Sequence, residues 1–306
     1  MTVATRSTLH DHLDLVRAPA VLSVVGDTLA GAAAAGHRIT PRRALLPLAS
    51  ACLYAGGMAL NDYADRHLDA IERPERPVPS GRVTPRRALQ VATGLTAAGI
   101  GLAAAGGGRR ALAVAVPLAA CVWTYDTVAK DRAAGPVVMA ACRGLDVLLG
   151  AGAGHLRPAL PAAAALAAHT AGVTVLSRGE VHGTTSPVAA TVAAGTVAVT
   201  GAVVAGALGG TSGPEGAVAR TLAVVGAVAY AASALPRQAD AALTPSADNA
   251  RTATRAGIQA MVPLQAAWAA RGGSVGSAVA LAGVVVASRL LRRAGRRPGR
   301  VEMSET

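Results

Sequence analysis

Polar positions in this chain come in short clusters, and the stretches between them are apolar windows of roughly 17–25 residues, each able to cross a hydrocarbon layer of about 30 Å. Ten such windows predict ten membrane-spanning helices: 14–36, 43–64, 86–106, 110–129, 136–154, 159–179, 187–209, 216–235, 254–270 and 274–291. The last two are short and joined by ARGGS, so a count of nine arises if they form one broken element. Charge decides between the counts. With the N-terminus in the cytoplasm and ten spans, twenty Lys and Arg fall on the inner side, including Arg289, Arg292, Arg293, Arg296, Arg297 and Arg300. Eight fall outside, among them Arg38, Arg42, Arg43, Arg109 and Arg110, and Arg143 alone sits within the membrane. That bias obeys the positive-inside rule, whereas nine spans place the arginine tail outside. The expected fold is therefore all-α, a polytopic bundle of nine to ten helices in one domain over 1–306. Residues 1–12 form an N-terminal cytoplasmic segment and 294–306 an arginine-rich tail. The same topology gathers the polar loops 61–85, 130–135, 178–186 and 236–253 on the cytoplasmic face. No strong repeat is present, although spans 2 and 6 both end in a charged segment.

Composition sharpens the class. The 306 residues are 52% hydrophobic and 15% charged, with no Phe, where a soluble domain carries about 25% charged residues. Ala, Val, Leu and Gly fill the windows, and small residues let helix backbones approach closely in lipid; a GC-rich genome enriches the same residue types. The opening MTVATRSTLHDHLDL lacks the short apolar core and cleavage site of a signal peptide. Cys52, Cys121 and Cys142 lie in apolar segments, which predicts buried free thiols rather than disulfides. The net charge of +12 invites a nucleic-acid reading, but the arginines flank membrane segments, so topology explains them and no nucleic-acid partner is expected.

Chemistry concentrates in residues 61–84, NDYADRHLDAIERPERPVPSGRVT. If the second helix continues through Asp69, then Asn61, Asp65 and Asp69 recur at i, i+4 and i+8. Asp62 then neighbours Asp65 at i+3 and Asp69 at i+7, so all four face one side. Carboxylates held together repel unless a positive group sits among them. A hard dication suits such a set, because Mg²⁺ takes carboxylate oxygens and completes its shell with water and substrate phosphates. The plain alternative is a solvated helix end, with Asp69 pairing Arg66 or Arg73.

Asn61-Asp62-x-x-Asp65-x-x-x-Asp69, followed by RPERPVPSG from Arg73 through Arg76, resembles the first aspartate-rich motif and following loop of the UbiA superfamily of intramembrane prenyltransferases. LVRAPA in span 1, with Arg17 and Pro19, is similar too. So is WTYDTVAK, with Tyr125 and Lys130, before the Pro-initiated GPVVMA of span 5. In length, span number and motif order the resemblance covers most of the chain, and its first motif is close to letter-perfect. It implies a cavity open sideways to the lipid bilayer, where an isoprenyl diphosphate binds. Asn61, Asp65 and Asp69, with Asp62, would hold Mg²⁺ against the diphosphate. Arg73, Arg76, Lys130 and Tyr125 would bind or flank its oxygens. Ionising an allylic C–O bond puts negative charge on the departing diphosphate, so metal and basic side chains must stabilise it. Arg grips phosphate in a bidentate way and Lys as a point charge. The implied reaction transfers the isoprenyl group to an aromatic, quinone-type or polyol acceptor of unknown identity. Two alternatives stand beside it: a terpene cyclase of the same superfamily, and a non-catalytic membrane binding protein. Few aromatic faces are available to guide carbocations, with only Tyr54, Tyr63, Tyr125 and Trp123 near the site, which disfavours the cyclase.

The chain departs from the family at its second aspartate-rich motif. That place reads TVLSRGEVHGTT, with the single carboxylate Glu180 where two or more aspartates are expected. Glu180, with His182, replaces at best part of a second metal set, though it stays a candidate catalytic and metal-binding residue. Asp126 and Asp131 are possible contributors, and Arg178 is a candidate to take over one metal's charge; an ordinary polar helix end is the other reading. Arg143 and Asp146 lie three residues apart inside span 5, where ionisable groups mark function or pair with one another. Here Arg143 is expected to reach the diphosphate and Asp146 to orient it or meet the acceptor, unless the two form a structural ion pair. With the altered second motif, this pair is similar to the EboC-like branch. Among lesser candidates, Asp27 lines the cavity or caps a polar contact. His169 reads as a satisfied core histidine, Gln259 and Gln265 as links between helices, and Asp240 and Asp248 as solvated loop charges.

Overall fold

The computed structural model describes residues 8–21, 23–209 and 214–295. Among them every regular element is helical. Three short helices, α1 (Leu9–Leu15), α2 (Ala18–Val21) and α3 (Val25–Ala34), replace the continuous first span. The break falls at Arg17, whose φ of 48° is the one left-handed non-glycine backbone among the described residues. Then follow α4 (Leu45–Ala64), α5 (Arg66–Glu72) and α6 (Pro85–Thr124), the last running into a π-helical turn at Tyr125–Ala129. After these come α7 (Gly135–Ala151), a 3₁₀ turn at Ala153–His155, α8 (Leu156–Ser177), α9 (Ser186–Leu208), α10 (Pro214–Leu243), α11 (Ala247–Arg271) and α12 (Val275–Gly295).

Local chemistry sets many of these ends. Thr8 and Asp11 close a capping box on α1. Thr84, Thr185 and Ser246 accept from the backbone N–H three residues on, opening α6, α9 and α11. Beyond the broken first span, the expected spans are helical, with three differences at the borders. Spans 3 and 4 are one element bent at Gly108, whose φ of 62° turns the chain without a loop. The expected 236–253 loop shrinks to residues 244–246, because α10 continues to Leu243 and α11 already begins at Ala247. Within the 61–85 loop, α5 prolongs the second span. The arginine-rich tail 294–306 and the first seven residues fall almost wholly outside the described residues.

Four stretches are long and apolar enough to cross a membrane by length and composition: Pro85–Ala129, Ala153–Ser177, Ser186–Leu208 and Glu215–Leu243. Their outward faces carry exposed Val116, Leu160, Val197, Val218, Val225 and Val228, side chains that lipid rather than water accommodates. Inside, one cluster joins α8–α11 through Leu166, Val203, Tyr230, Leu264 and Trp268. A second joins α4, α6 and α7 through Leu53, Leu118 and Leu149. With lipid as apolar as leucine, close packing of small residues holds such helices together. The crossing of α3 and α7 shows how close: a Cβ on Gly31 would stand 1.8 Å from the Val147 carbonyl oxygen, and one on Gly150 1.9 Å from that of Thr28. A lateral groove of about 440 Å³ runs between α1, α4 and α6, floored by Leu13, Val16, Ala55, Val91 and Leu95.

Candidate active site

The helix bends at Asp65 (φ −85°, ψ −1°), yet its hydrogen-bond ladder survives the bend. Asp65 N–H donates to Asn61 O, Asp69 N–H to Asp65 O and Arg73 N–H to Asp69 O, at 2.9, 2.8 and 2.8 Å. Asn61, Asp65, Asp69 and Arg73 thus stay stacked at i, i+4 spacing, as the sequence required. Arg73 ends the run at φ −145°, and the prolines that follow turn the loop back on the acids.

That return brings cations. Arg76 Nη1 lies 2.7 Å from Asp69 Oδ2 and 3.7 Å from Asp62 Oδ1, so Asp62 and Asp69 share a side as i, i+7 neighbours. Both are 2% exposed. Asp69 therefore pairs with Arg76, not with Arg66 or Arg73. Arg66 instead donates to the Tyr63 carbonyl (2.8 Å) and sits 4.8 Å above that ring's centre. The left-handed backbone of Arg17 aims its guanidinium at the same mouth, 3.3 Å from Asp62 and 3.5 Å from Met58 Sδ. Strained backbones persist where surrounding contacts over-determine them, often at functional sites.

The π-helical turn supplies the opposite wall. It delivers Lys130 into an ion pair with Asp65, and it aims buried Asp126 at Asn61, whose Nδ2 donates to Asp126 Oδ1 at 3.5 Å. Single π-turns recur at functional sites. Gly57 makes room for this wall, since a Cβ there would press to 2.8 Å from Val122. Asp131 is exposed and the Tyr125 side chain makes no hydrogen bond among the described residues, so of that segment Asp126 and Lys130 join the cluster.

The second-motif position looks different. Burial pushes the Glu180 carboxyl above the usual range, against the downward pull of Thr254, Arg251, Arg73 and Arg255. Arg251 Nε donates to the Glu180 carbonyl at 3.1 Å. Arg178 bonds to the Arg132 carbonyl, and His182 is exposed, with no partner among the described residues. Glu180 thus has arginines for company rather than further carboxylates.

Deeper in the bundle, Arg143 pairs with Asp27 at 2.6 Å, so the structural alternative of an Arg143–Asp146 ion pair is not what forms. Gln265 Nε2 donates to Asp27 Oδ1 and to the Ser23 carbonyl, both at 2.7 Å, and links α11 to the first span as expected. Ser50 donates to Asp146 Oδ2 at 2.6 Å. The partner of Asp27 was not legible because 116 positions separate the two residues. His169 is the satisfied core histidine predicted: Nε2 meets the Gly257 carbonyl and Nδ1 the Tyr230 hydroxyl, each at 2.9 Å. Nε2 must therefore carry the proton, and Nδ1 accepts. Gln259 is exposed and makes no hydrogen bond among the described residues. Asp240 forms an exposed pair with Arg237 (3.1 Å) and Asp248 is exposed. All three cysteines are free thiols, Cys142 buried and the others half-buried.

An all-helical membrane bundle whose acids and bases crowd one mouth defines an integral membrane protein equipped to handle a charged group at the edge of lipid. The chain belongs to the UbiA prenyltransferase family, whose model matches residues 24–246. Over 137 residues it is 39% identical to the digeranylgeranylglyceryl phosphate synthase of Methanopyrus kandleri, an alignment covering 44% of this chain and 48% of that protein. The chain thus spans about half the length of that curated relative. Its fold is similar to the apo structure of a UbiA homolog from Aeropyrum pernix K1, with a TM-score of 0.60 at 17% identity over 88% of this chain and 98% of that one. It is similar also to a UbiA homolog from Archaeoglobus fulgidus bound to DMAPP and Mg²⁺, with a TM-score of 0.55 at 16% identity over 82% and 99%.

The first-motif donors fit a magnesium ion in kind. Asn61, Asp62, Asp65, Asp69 and Asp126 offer only oxygen, the ligand atom Mg²⁺ prefers. Among the described residues no three acids or imidazoles converge closely enough to cage an ion. Asp62, Asp65 and Asp69 are instead turned to Arg17, Lys130 and Arg76. The Glu180 position offers a single carboxylate among guanidinium groups and does not fit a second ion.

Proposed function

We propose that this protein moves an isoprenyl group from a prenyl diphosphate to a hydroxyl of a polyol-type acceptor within the membrane, using Mg²⁺, with its mouth on the cytoplasmic side of the plasma membrane. The observation that carries the reading is the mouth itself: Asp62, Asp65 and Asp69 interleaved with Arg17, Arg76 and Lys130 at the end of a lipid-facing bundle. The polyol acceptor is supported by the name of the archaeal relative, and the cytoplasmic side by the arginine bias.

Bound Mg²⁺, held by Asn61, Asp62, Asp65 and Asp69, would supply a Lewis acid for the leaving diphosphate. The chain's own part follows from its charges. Arg17, Arg76 and Lys130 are long side chains already at the mouth, so they have only to exchange carboxylate for phosphate oxygens. There they offset the charge that grows on diphosphate as the allylic C–O bond breaks and its electron pair departs. The acceptor oxygen then bonds to the allylic carbon and its proton is lost to solvent or to the released diphosphate. Apolar walls exclude competing water from the isoprenyl chain.

The test is diphosphate release from geranylgeranyl diphosphate by the detergent-purified protein with Mg²⁺ and a glycerol-based acceptor. Asp65→Asn should lower the rate at least about 100-fold, the scale of a lost electrostatic group. Release by that variant at the wild-type rate, or none from the wild type, sinks the assignment; hydrocarbon formed without acceptor would replace it by cyclisation.

A further inference from the structure

The mouth divides by charge. On the first-motif side, Asp62, Asp65, Asp69 and Asp126 outnumber Arg17, Arg76 and Lys130 by four to three. On the other side, Arg251 and Arg255 of α11 and Arg73 at the end of α5 are the positive charges that act on the lone Glu180, and Arg251 touches its backbone. The acidic half calls for a cation; the other half repels one.

We infer that the Glu180 side is a metal-free phosphate site, in which Arg73, Arg251 and Arg255 bind a phosphoryl group where the family would place a second Mg²⁺. This rests on the family reading above, but it concerns a place where the chain departs from the family. Three features support it. Arg251 spends its Nε on the Glu180 carbonyl at 3.1 Å, which fixes the plane of the guanidinium and leaves its two terminal nitrogens without a hydrogen-bond partner among the described residues. Arg255 stands one turn further along α11, on the same face, and like charges at i, i+4 are unfavourable unless an anion comes between them. Neither Arg73 nor Arg255 makes a side-chain hydrogen bond or ion pair among the described residues, and Glu72 and Asp248, close in sequence, pair with neither. Planar, forked donors of this kind match phosphate oxygens two at a time. Arg73 also continues the ladder of Asn61, Asp65 and Asp69, so the site adjoins the first motif rather than lying apart from it.

A phosphoryl group can reach this site from the donor's diphosphate or from a phosphomonoester on the acceptor, and the chemistry of recognition is shared. Calorimetry on the full chain in detergent with EDTA separates them, using inorganic diphosphate in one arm and glycerol 1-phosphate in the other. At least one should bind without metal. Binding of diphosphate alone assigns the site to the donor, and binding of the monoester assigns it to the acceptor. Arg251→Gln with Arg255→Gln should weaken that binding tenfold or more at an unchanged melting temperature, and the double lysine variant should recover part of it. Absence of metal-free binding in both arms, or equal affinity in the glutamine variant, overturns the inference. Turnover with Mg²⁺ is scored separately, so a dead enzyme that binds phosphate without metal fails the proposed activity and not this site.

Discussion

Single residues carry the charge chemistry, and they divide into those a sequence reveals and those it hides. Asn61, Asp65 and Asp69 were legible because one helical period places them together, and the hydrogen-bond ladder through the bend keeps that period. The Arg76 contact to both Asp62 and Asp69 was not, since the helix ends at Glu72 and the chain turns after it before Arg76 reaches them. Asp27 and Arg143 were each visible as ionisable residues in apolar runs, but nothing local joins them. Their pair is fully buried on the Asp27 side, and removing one member of a buried pair destabilises by about 3–5 kcal/mol through the charge left behind. Arg143→Gln or Asp27→Asn alone should therefore lower the melting temperature in detergent by several degrees. The double variant should regain much of the loss. Equal melting temperatures for the wild type and both single variants would show that the pair holds nothing.

At the scale of elements, hydropathy located the helices because lipid demands long apolar runs, and it misplaced their borders where polar sequence stays helical. The last turns of α10 and the first of α11 are charged, so they read as loop, yet Ser246 caps α11 and leaves three residues between the helices. The break at Arg17 escaped notice because no glycine or asparagine marks it. Glycines decide how closely helices meet. Gly31 and Gly150 stand where a side chain would strike backbone of α7 and α3, while a Cβ on Gly94 would meet nothing within 4 Å. Gly31→Val and Gly150→Val should each destabilise by about 1–3 kcal/mol or more, as overpacked contacts do. Gly94→Ala should match the wild type. Thermal unfolding in detergent compares the three, and a stable Gly31→Val would refute so close an approach of α3 and α7.

For the whole molecule, the arginine bias predicts which side each loop faces. Glu75→Cys, in the exposed loop after α5, should react with a membrane-impermeant maleimide only when the cytoplasmic side is open, whereas Arg109→Cys, beside the Gly108 bend within α6, should react from outside. The reverse labelling would invert the topology, and with it the side from which a soluble phosphate arrives. The native thiols lie buried or half-buried in apolar helices and should contribute little background. Architecture and first motif were readable together because one physical requirement, charge confined to the rim of a greasy bundle, writes both. The altered second motif was readable only as a deficit of acids. Its arginine neighbours come from α5 and α11, far apart in sequence, and folding alone makes them a group.

Arg76, bridging Asp62 and Asp69, gives the entrance an internal salt of its own. A ligand arriving at Asp62 and Asp69 must trade partners with a group that already satisfies them, so little electrostatic energy is gained in the swap itself. Added sodium chloride weakens the old contacts and the new ones alike, leaving affinity at this rim nearly indifferent to ionic strength, unlike a surface that waits with bare charge.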